Sequence, residues 1–170
     1  MQLDIAKTTI FKEAKSVSQS IKIKGITIRN FKSLFDVSFE TGNVNVFIGA
    51  NGSGKTSVLE AIGVLSAAMT DRVNNNSLQR KGVRLSTSSL YKSKFADIVK
   101  ESPTVEFSLK WGKDSHEYQY NTHLTAPVGD DSWKYHTESV SRDRIIVFGR
   151  SNRSKSHMNN KVGYYSLSDH

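Results

Sequence analysis

The stretch Gly49-Ala50-Asn51-Gly52-Ser53-Gly54-Lys55-Thr56 is the strongest indication of the fold in this sequence of 170 residues. It fills every position of the pattern G-x-x-x-x-G-K-[ST], in which flexible glycines let backbone amides surround a phosphate group. Lys55 adds a full positive charge on a stem long enough to reach the terminal phosphates, and the Thr56 hydroxyl is suited to bind Mg²⁺. The sequence therefore predicts a phosphate-binding loop with Thr56 as its metal ligand.

The segments on either side of the loop favour a strand, the loop and a helix in succession. The apolar run Val44–Ile48 predicts a buried strand that leads into the loop. A helix is predicted from Lys55 to about Met69, because apolar residues recur at helical spacing. Its core stripe is predicted to consist of Val58, Ala61, Ile62, Leu65 and Met69.

Period-two patterns predict strands before and after this unit. Isoleucines alternate with polar residues from Ile21 to Arg29, Asn30–Ser33 interrupts the pattern, and a short strand follows at Val37–Phe39. Beyond Pro103 the alternation predicts a hairpin and two later strands, which together form an antiparallel β subdomain over residues 103–150. We expect its alternating aromatic residues to pack in a small core rather than to stack on nucleic-acid bases.

Two stretches are specific enough to carry a resemblance, namely Ile26-Thr27-Ile28-Arg29-Asn30-Phe31-Lys32-Ser33-Leu34 and Val46–Thr56. They resemble the N-terminal lobe of ABC-type ATPase heads, in the branch that includes SMC, RecF and OLD-like proteins and predicted AAA-family ATPases of defence loci. The resemblance implies an α/β fold, namely a P-loop NTPase N-terminal lobe (strand, P-loop, helix) with an antiparallel β subdomain. It also implies ATP and Mg²⁺ as ligands, and hydrolysis across a homodimer or with a partner subunit.

The resemblance extends the candidate site beyond the loop, because the family segment that matches Arg29–Ser33 lies beside adenine and ribose. The candidate nucleotide-binding residues are Gly49, Ala50, Asn51, Gly52, Ser53, Gly54, Lys55, Thr56, Ser57, Arg29, Asn30, Lys32 and Ser33. A polar strand end that touches no ligand is the alternative reading of Arg29–Ser33.

Several parts that the family uses for hydrolysis are not found in this sequence. The late apolar strand Ile145–Phe148 is followed by Gly149-Arg150 instead of carboxylates, and no glycine-containing signature loop is present. We therefore expect the chain alone to hydrolyse ATP very slowly or not at all. We expect it to be either a fragment of a longer ATPase or an incomplete protein that needs a partner.

Composition adds limits on compartment and partners. The net charge of +8 is concentrated in Arg72–Lys100 and Arg142–Lys161, which favours either an acidic partner such as nucleic acid or a solvated surface. With no cysteine, no secretory signal and no membrane-spanning apolar run, we expect a cytoplasmic protein with no membrane contact.

The predicted domain organisation has four parts: residues 1–20 as a tail, 21–102 as the P-loop part, 103–150 as the β subdomain, and 151–170 as a basic segment. Two other functions stay open. A GTPase would need Asn-Lys-x-Asp, whereas Asn160-Lys161-Val162-Gly163 lacks the aspartate. A basic nucleic-acid-binding module with a degenerate loop would bind DNA without regard to ATP.

Overall fold

The structure, a computed structural model, describes residues 20–70, 72–93, 104–126, 133–151 and 154–158. Within these ranges it contains one sheet and three helices, with the following elements in chain order: β1 (Lys22–Phe31), β2 (Leu34–Glu40), α1 (Lys55–Thr70), α2 (Asn75–Arg80), α3 (Ser88–Tyr91), β3 (Val105–Lys113), β4 (His116–Thr125), β5 (Lys134–Arg142), β6 (Ile145–Ser151) and β7 (Ser154–Met158). The strands predicted at Ile21–Arg29, at Val37–Phe39 and beyond Pro103 are thus confirmed. The predicted interruption at Asn30–Ser33 is shorter than expected and forms a turn, since β1 continues through Phe31.

The seven strands form a single antiparallel sheet in the order β2-β1-β3-β4-β5-β6-β7. Strand β1 lies between β2 and β3, so Ile28 faces Val37 on one side and Phe107 on the other. The predicted antiparallel part is therefore present, and it is continuous with the strands that precede the loop. The division of the chain into domains stays a prediction.

The two faces of the sheet differ in polarity, as expected when only one face is covered. Paired residues on adjacent strands share a face, so Ile28 and Phe107 lie on one face and Thr27 and Ser108 on the other. Ile28 and Phe107 are buried, whereas Thr27 bonds the hydroxyl of Ser38 at an exposed site. The apolar face is the one on which the core is built.

Helix α1 confirms the predicted helix and packs on this apolar face. Val58, Ala61 and Leu65 are buried as predicted. The prediction for Met69 is wrong, because its side chain is 41% exposed. The small side chains of Ala67 and Ala68 are buried instead, which lets the helix approach the sheet closely.

Two tyrosines of the sheet bind the carboxyl-terminal end of α1. The hydroxyl of Tyr135 donates to the carbonyl oxygen of Ala68 at 3.0 Å, and the hydroxyl oxygen of Tyr120 lies 3.4 Å from the same carbonyl. Tyr120 donates its single proton to Glu138, whose other oxygen accepts from Arg150. Burial, and then the charge of Glu138, raise the pKa of Tyr120, so its hydroxyl remains a hydrogen-bond donor. These bonds satisfy a carbonyl that a helix end leaves without a partner in the helix.

The predicted buried strand at Val44–Ile48 is wrong. Residues 41–50 contain no strand, and the side chains of Val44, Val46 and Ile48 are 82%, 75% and 91% exposed. Phe47 alone points inward, with its ring 5.4 Å from that of Phe39. A strand needs a neighbour for its backbone hydrogen bonds, and none of the described strands pairs with this segment.

The aromatic residues of the sheet confirm the packing prediction. Phe107 and Tyr120 are buried in the core. Trp111 and Tyr118, paired across β3 and β4, are half-buried and stack with ring centroids 5.4 Å apart. The stack continues the core towards the far end of the sheet.

Gly63 offers a test of how tightly α1 packs. A Cβ at this position would lie 2.7 Å from a methyl carbon of Val83 and 2.8 Å from the carbonyl oxygen of Lys81. Overpacking of this kind costs about 1–3 kcal/mol, which exceeds the gain of about 1 kcal/mol in helix propensity. We therefore expect Gly63→Ala to lower the free energy of unfolding, measured in urea. Ser66→Ala on the same helix is the control, and a more stable Gly63→Ala variant would contradict the packing.

Candidate functional site

The loop before α1 has the backbone geometry that its glycines predict. Gly52 and Gly54 have φ angles of +83° and +92°, which residues with a Cβ rarely adopt. Gly49 does not have a positive φ of this kind, but a Cβ there would lie 2.7 Å from the hydroxyl oxygen of Ser53. The amide of Ser53 donates to the carbonyl of Ala50 at 3.2 Å and closes the turn. The sequence of glycines is therefore required by the shape of the loop.

Lys55 folds back over this loop. Its ammonium donates to the carbonyl oxygens of Gly49 and Ala50, both at 2.7 Å, and lies 3.4 Å from the hydroxyl of Ser53. A lysine ammonium has three donors, so the two short carbonyl bonds fix its position and only a long contact engages the third. The loop thus concentrates one full positive charge beside its own amides, a combination that suits phosphate oxygens.

The turn between β1 and β2 lies against the start of α1. The hydroxyls of Ser33 and Ser57 share a hydrogen bond of 2.9 Å, and a Cβ on Gly54 would lie 3.2 Å from the Ser33 hydroxyl. Lys32, in the same turn, has a left-handed φ of 51°. The structure therefore brings together the loop and the turn that the resemblance assigns to one site.

A buried carboxylate joins this turn to the chain after α2. Glu60 is 2% exposed, and its two oxygens lie 2.7 Å from the ammonium of Lys32 and 2.7 Å from Nε of Arg84. The backbone amide of Arg84 also donates to Glu60, at 3.2 Å. Burial would raise the pKa of the Glu60 carboxyl, but the hydrogen bonds from Arg84 and Lys32 outweigh burial and lower the pKa. Glu60 is thus ionised and fully bonded.

Further bonds fix residues 84–93 beside the turn. The amide of Lys32 donates to the carbonyl of Tyr91 at 2.9 Å, and the amide of Ser93 donates to the carbonyl of Asn30 at 3.1 Å. The hydroxyl of Tyr91 accepts from the amide of Ser86, and burial raises the pKa of this tyrosine. The ammonium of Lys32 also lies 5.3 Å from the centre of the Tyr91 ring.

These elements line an open surface cleft of about 560 Å³, a volume in the range of small-molecule sites. Its lining combines cations, hydroxyls and apolar side chains, and no carboxylate in the described part of the chain belongs to it. The lining residues are Lys32, Ser33, Ser57, Arg84, Leu85, Ser86, Leu90 and Lys92. The cleft is therefore electropositive and begins at the first turn of α1.

The predicted site residues divide between the loop, the cleft and the outer surface. Lys32, Ser33 and Ser57 line the cleft. Arg29 does not, because it pairs with Asp36 at 3.1 Å and lies 3.8 Å from Glu106 across the sheet. Asn30 has a left-handed φ of 57°, and its carbonyl accepts the hydrogen bond from the amide of Ser93. Thr56 is exposed next to Lys55 on the first turn of α1.

Sequence reasoning missed Glu60 and the wall formed by residues 84–92. One signal was the concentration of cations between Arg72 and Lys100, which includes Arg84 and Lys92. A glutamate in the middle of an apolar helix stripe was a further signal, since a buried carboxylate requires partners. Among the described residues there is no group of His, Cys, Asp or Glu side chains that could hold a metal ion. None of their helices is long and apolar enough to cross a membrane.

The pH dependence of stability tests the Glu60 network. Because the pKa of Glu60 is lower in the folded chain than its ordinary value of 4.5, its contribution is present above that value and is lost as the pH falls through the folded pKa. We expect Glu60→Gln to cost about 3 kcal/mol at pH 7. In urea unfolding, the difference from the wild type should shrink towards pH 4 and below. A difference that does not change with pH would contradict an ionised Glu60.

The chain is similar to a known protein family over most of its length, and to individual proteins over less than half of it. A protein-family model described as an AAA ATPase domain matches residues 21–160. Three relatives, each named DNA replication and repair protein RecF, come from Oenococcus oeni, Lactococcus lactis and Clostridioides difficile. They are 49%, 30% and 33% identical over 57, 84 and 72 residues, which are 34%, 48% and 42% of this chain. These matches span 14%, 23% and 19% of the respective relatives.

Proposed function

Because this chain belongs to the AAA ATPase domain family, we propose that it binds Mg-ATP through the loop Gly49–Thr56. The observation that supports this proposal most directly is the position of Lys55, whose ammonium lies 2.7 Å from two loop carbonyls. Its charge is thereby held at the centre of the loop. A triphosphate needs both this charge and the loop amides.

The residues of the loop have distinct roles in this proposal. The amides around Gly52 and Gly54 donate to phosphate oxygens, and Lys55 neutralises the charge of the terminal phosphates. The Thr56 hydroxyl, an exposed oxygen donor on the first turn of α1, fits Mg²⁺, which prefers oxygen ligands. When bound, the ion would offset phosphate charge.

Hydrolysis belongs, in this proposal, to a larger assembly of the RecF and SMC type. No described carboxylate lines the cleft, and Glu60 is already bonded to Lys32 and Arg84. The exposed apolar side chains of Val44–Ile48 support the same reading, because they need a cover that the described residues do not provide. A further segment, a second copy or a partner subunit would supply both the cover and the missing acid.

Replacement of Lys55 tests the binding site. We expect Lys55→Ala to weaken binding of a non-hydrolysable ATP analogue at least about tenfold, because it removes charge-assisted hydrogen bonds to phosphate. Isothermal titration in the presence of Mg²⁺ measures the change. Lys113→Ala, which removes an exposed lysine at the end of β3, is the matched control. Equal affinity of Lys55→Ala and the wild type would refute the loop assignment.

Duplex DNA is a second proposed ligand of this chain. The relatives are named as DNA replication and repair proteins, and the two basic segments of this chain place exposed cations such as Lys81 and Arg144 on turns. Two other cations of these segments are in ion pairs: Arg84 with Glu60, and Arg150 with Glu138. The exposed cations are therefore the ones proposed to contact DNA phosphates.

The salt dependence of binding tests this second proposal. Each neutralised phosphate should contribute a slope of roughly -0.9 to the logarithm of the binding constant against the logarithm of the salt concentration. We expect the double variant Lys81→Gln, Arg144→Gln to bind more weakly and with a slope smaller by about 2. Fluorescence anisotropy of a labelled duplex measures both quantities. No binding at low salt, or a flat salt response, would exclude duplex DNA.

A further inference from the structure

We propose that residues 84–92 hold the ribose and base of the nucleotide, so that the cleft is the nucleoside half of the site. This inference rests on the proposed binding of Mg-ATP by the loop, and it assigns a role to a segment on the far side of the β1–β2 turn. It also names Arg84 as a nucleotide contact and Glu60 as the residue that positions Arg84.

The position of the cleft beside the loop supports a nucleotide whose phosphates lie in the loop and whose nucleoside lies in the cleft. Ser57 follows Thr56 in the first turn of α1 and lines the cleft, and its hydroxyl bonds that of Ser33, which also lines it. Gly54, at the end of the loop, lies so close to Ser33 that a Cβ would be 3.2 Å from its hydroxyl. A ligand whose phosphates occupy the loop would therefore have the cleft directly beside it.

The lining of the cleft matches the parts of a nucleoside. Leu85 and Leu90 are 39% and 48% exposed, and these apolar side chains can pack on the face of a base. The hydroxyls of Ser33, Ser57 and Ser86 suit the hydroxyls of a ribose. The volume of about 560 Å³ is sufficient for both groups.

Arg84 connects this lining to the buried carboxylate. Glu60 accepts from Nε and from the backbone amide of Arg84, while the Arg84 side chain as a whole remains 73% exposed. A guanidinium has five N–H donors, so the bond to Glu60 leaves its terminal amino groups to bind a phosphate or ribose oxygen. Glu60 thus fixes the guanidinium at the cleft and itself contacts no ligand.

A comparison of two ligands distinguishes the contribution of the cleft to binding from that of the loop. Isothermal titrations compare a non-hydrolysable ATP analogue with inorganic tripolyphosphate, both with Mg²⁺, because tripolyphosphate lacks the nucleoside. We expect Leu90→Ser and Arg84→Gln each to weaken binding of the ATP analogue roughly tenfold. Leu90→Ser should leave tripolyphosphate binding unchanged, whereas Lys55→Ala should weaken both ligands. Lys113→Gln is the control for a lost surface charge.

Each other result has a definite meaning. If Leu90→Ser and Arg84→Gln bind the ATP analogue like the wild type while Lys55→Ala fails, the cleft assignment is wrong and the loop assignment stands. If Leu90→Ser weakens both ligands equally, the segment acts on the fold and the inference is overturned. If the wild type binds neither ligand, the proposed function fails and this inference fails with it. Leu90 is exposed, so its variant tests the cleft even if Arg84→Gln unfolds.

Discussion

The site depends on one buried interaction, the bonding of the Glu60 carboxylate to Lys32 and Arg84. A carboxylate that is 2% exposed would be strongly unfavourable without partners, so the two cations and the Arg84 amide must all be in place. Lys32 comes from the turn after β1, Glu60 from α1 and Arg84 from the chain after α2. One carboxylate therefore sets the relative positions of three segments that are far apart in sequence.

The opposite end of α1 is fixed by a second carboxylate in a similar way. Glu138 accepts from Tyr120 and Arg150, and Tyr135, whose hydroxyl lies near that of Tyr120 at the Ala68 carbonyl, donates to this carbonyl. The helix is thus bound to the sheet by polar contacts near its last turn and to the β1–β2 turn near its first. Between these points it packs through small and branched apolar residues. Such a helix gives the preceding loop a rigid support.

The sequence predicted secondary structure correctly where the pattern depends on nearby residues. It failed where a strand or a site residue depends on contacts with residues distant in sequence. The helix after Lys55 and the hairpin from Val105 to Thr125 were predicted correctly, because helical and period-two spacings reflect local burial. The strand at Val44–Ile48 was predicted incorrectly, because an apolar run cannot show whether neighbouring strands exist. Arg84 and Lys92 could not be assigned to the cleft from sequence, since their position depends on Glu60 and on the Tyr91 backbone.

The uncovered segment Val44–Ile48 has a consequence for how the chain behaves in solution. Three large apolar side chains project from a segment that no described strand pairs with. Such a segment is a template for the addition of strands from other chains, which is the starting point of aggregation. Prolines and inward-pointing charges, which natural edge strands use against such association, do not occur in it. Association of the chain through this segment would therefore increase with its concentration, and any polypeptide that covers the segment would suppress it.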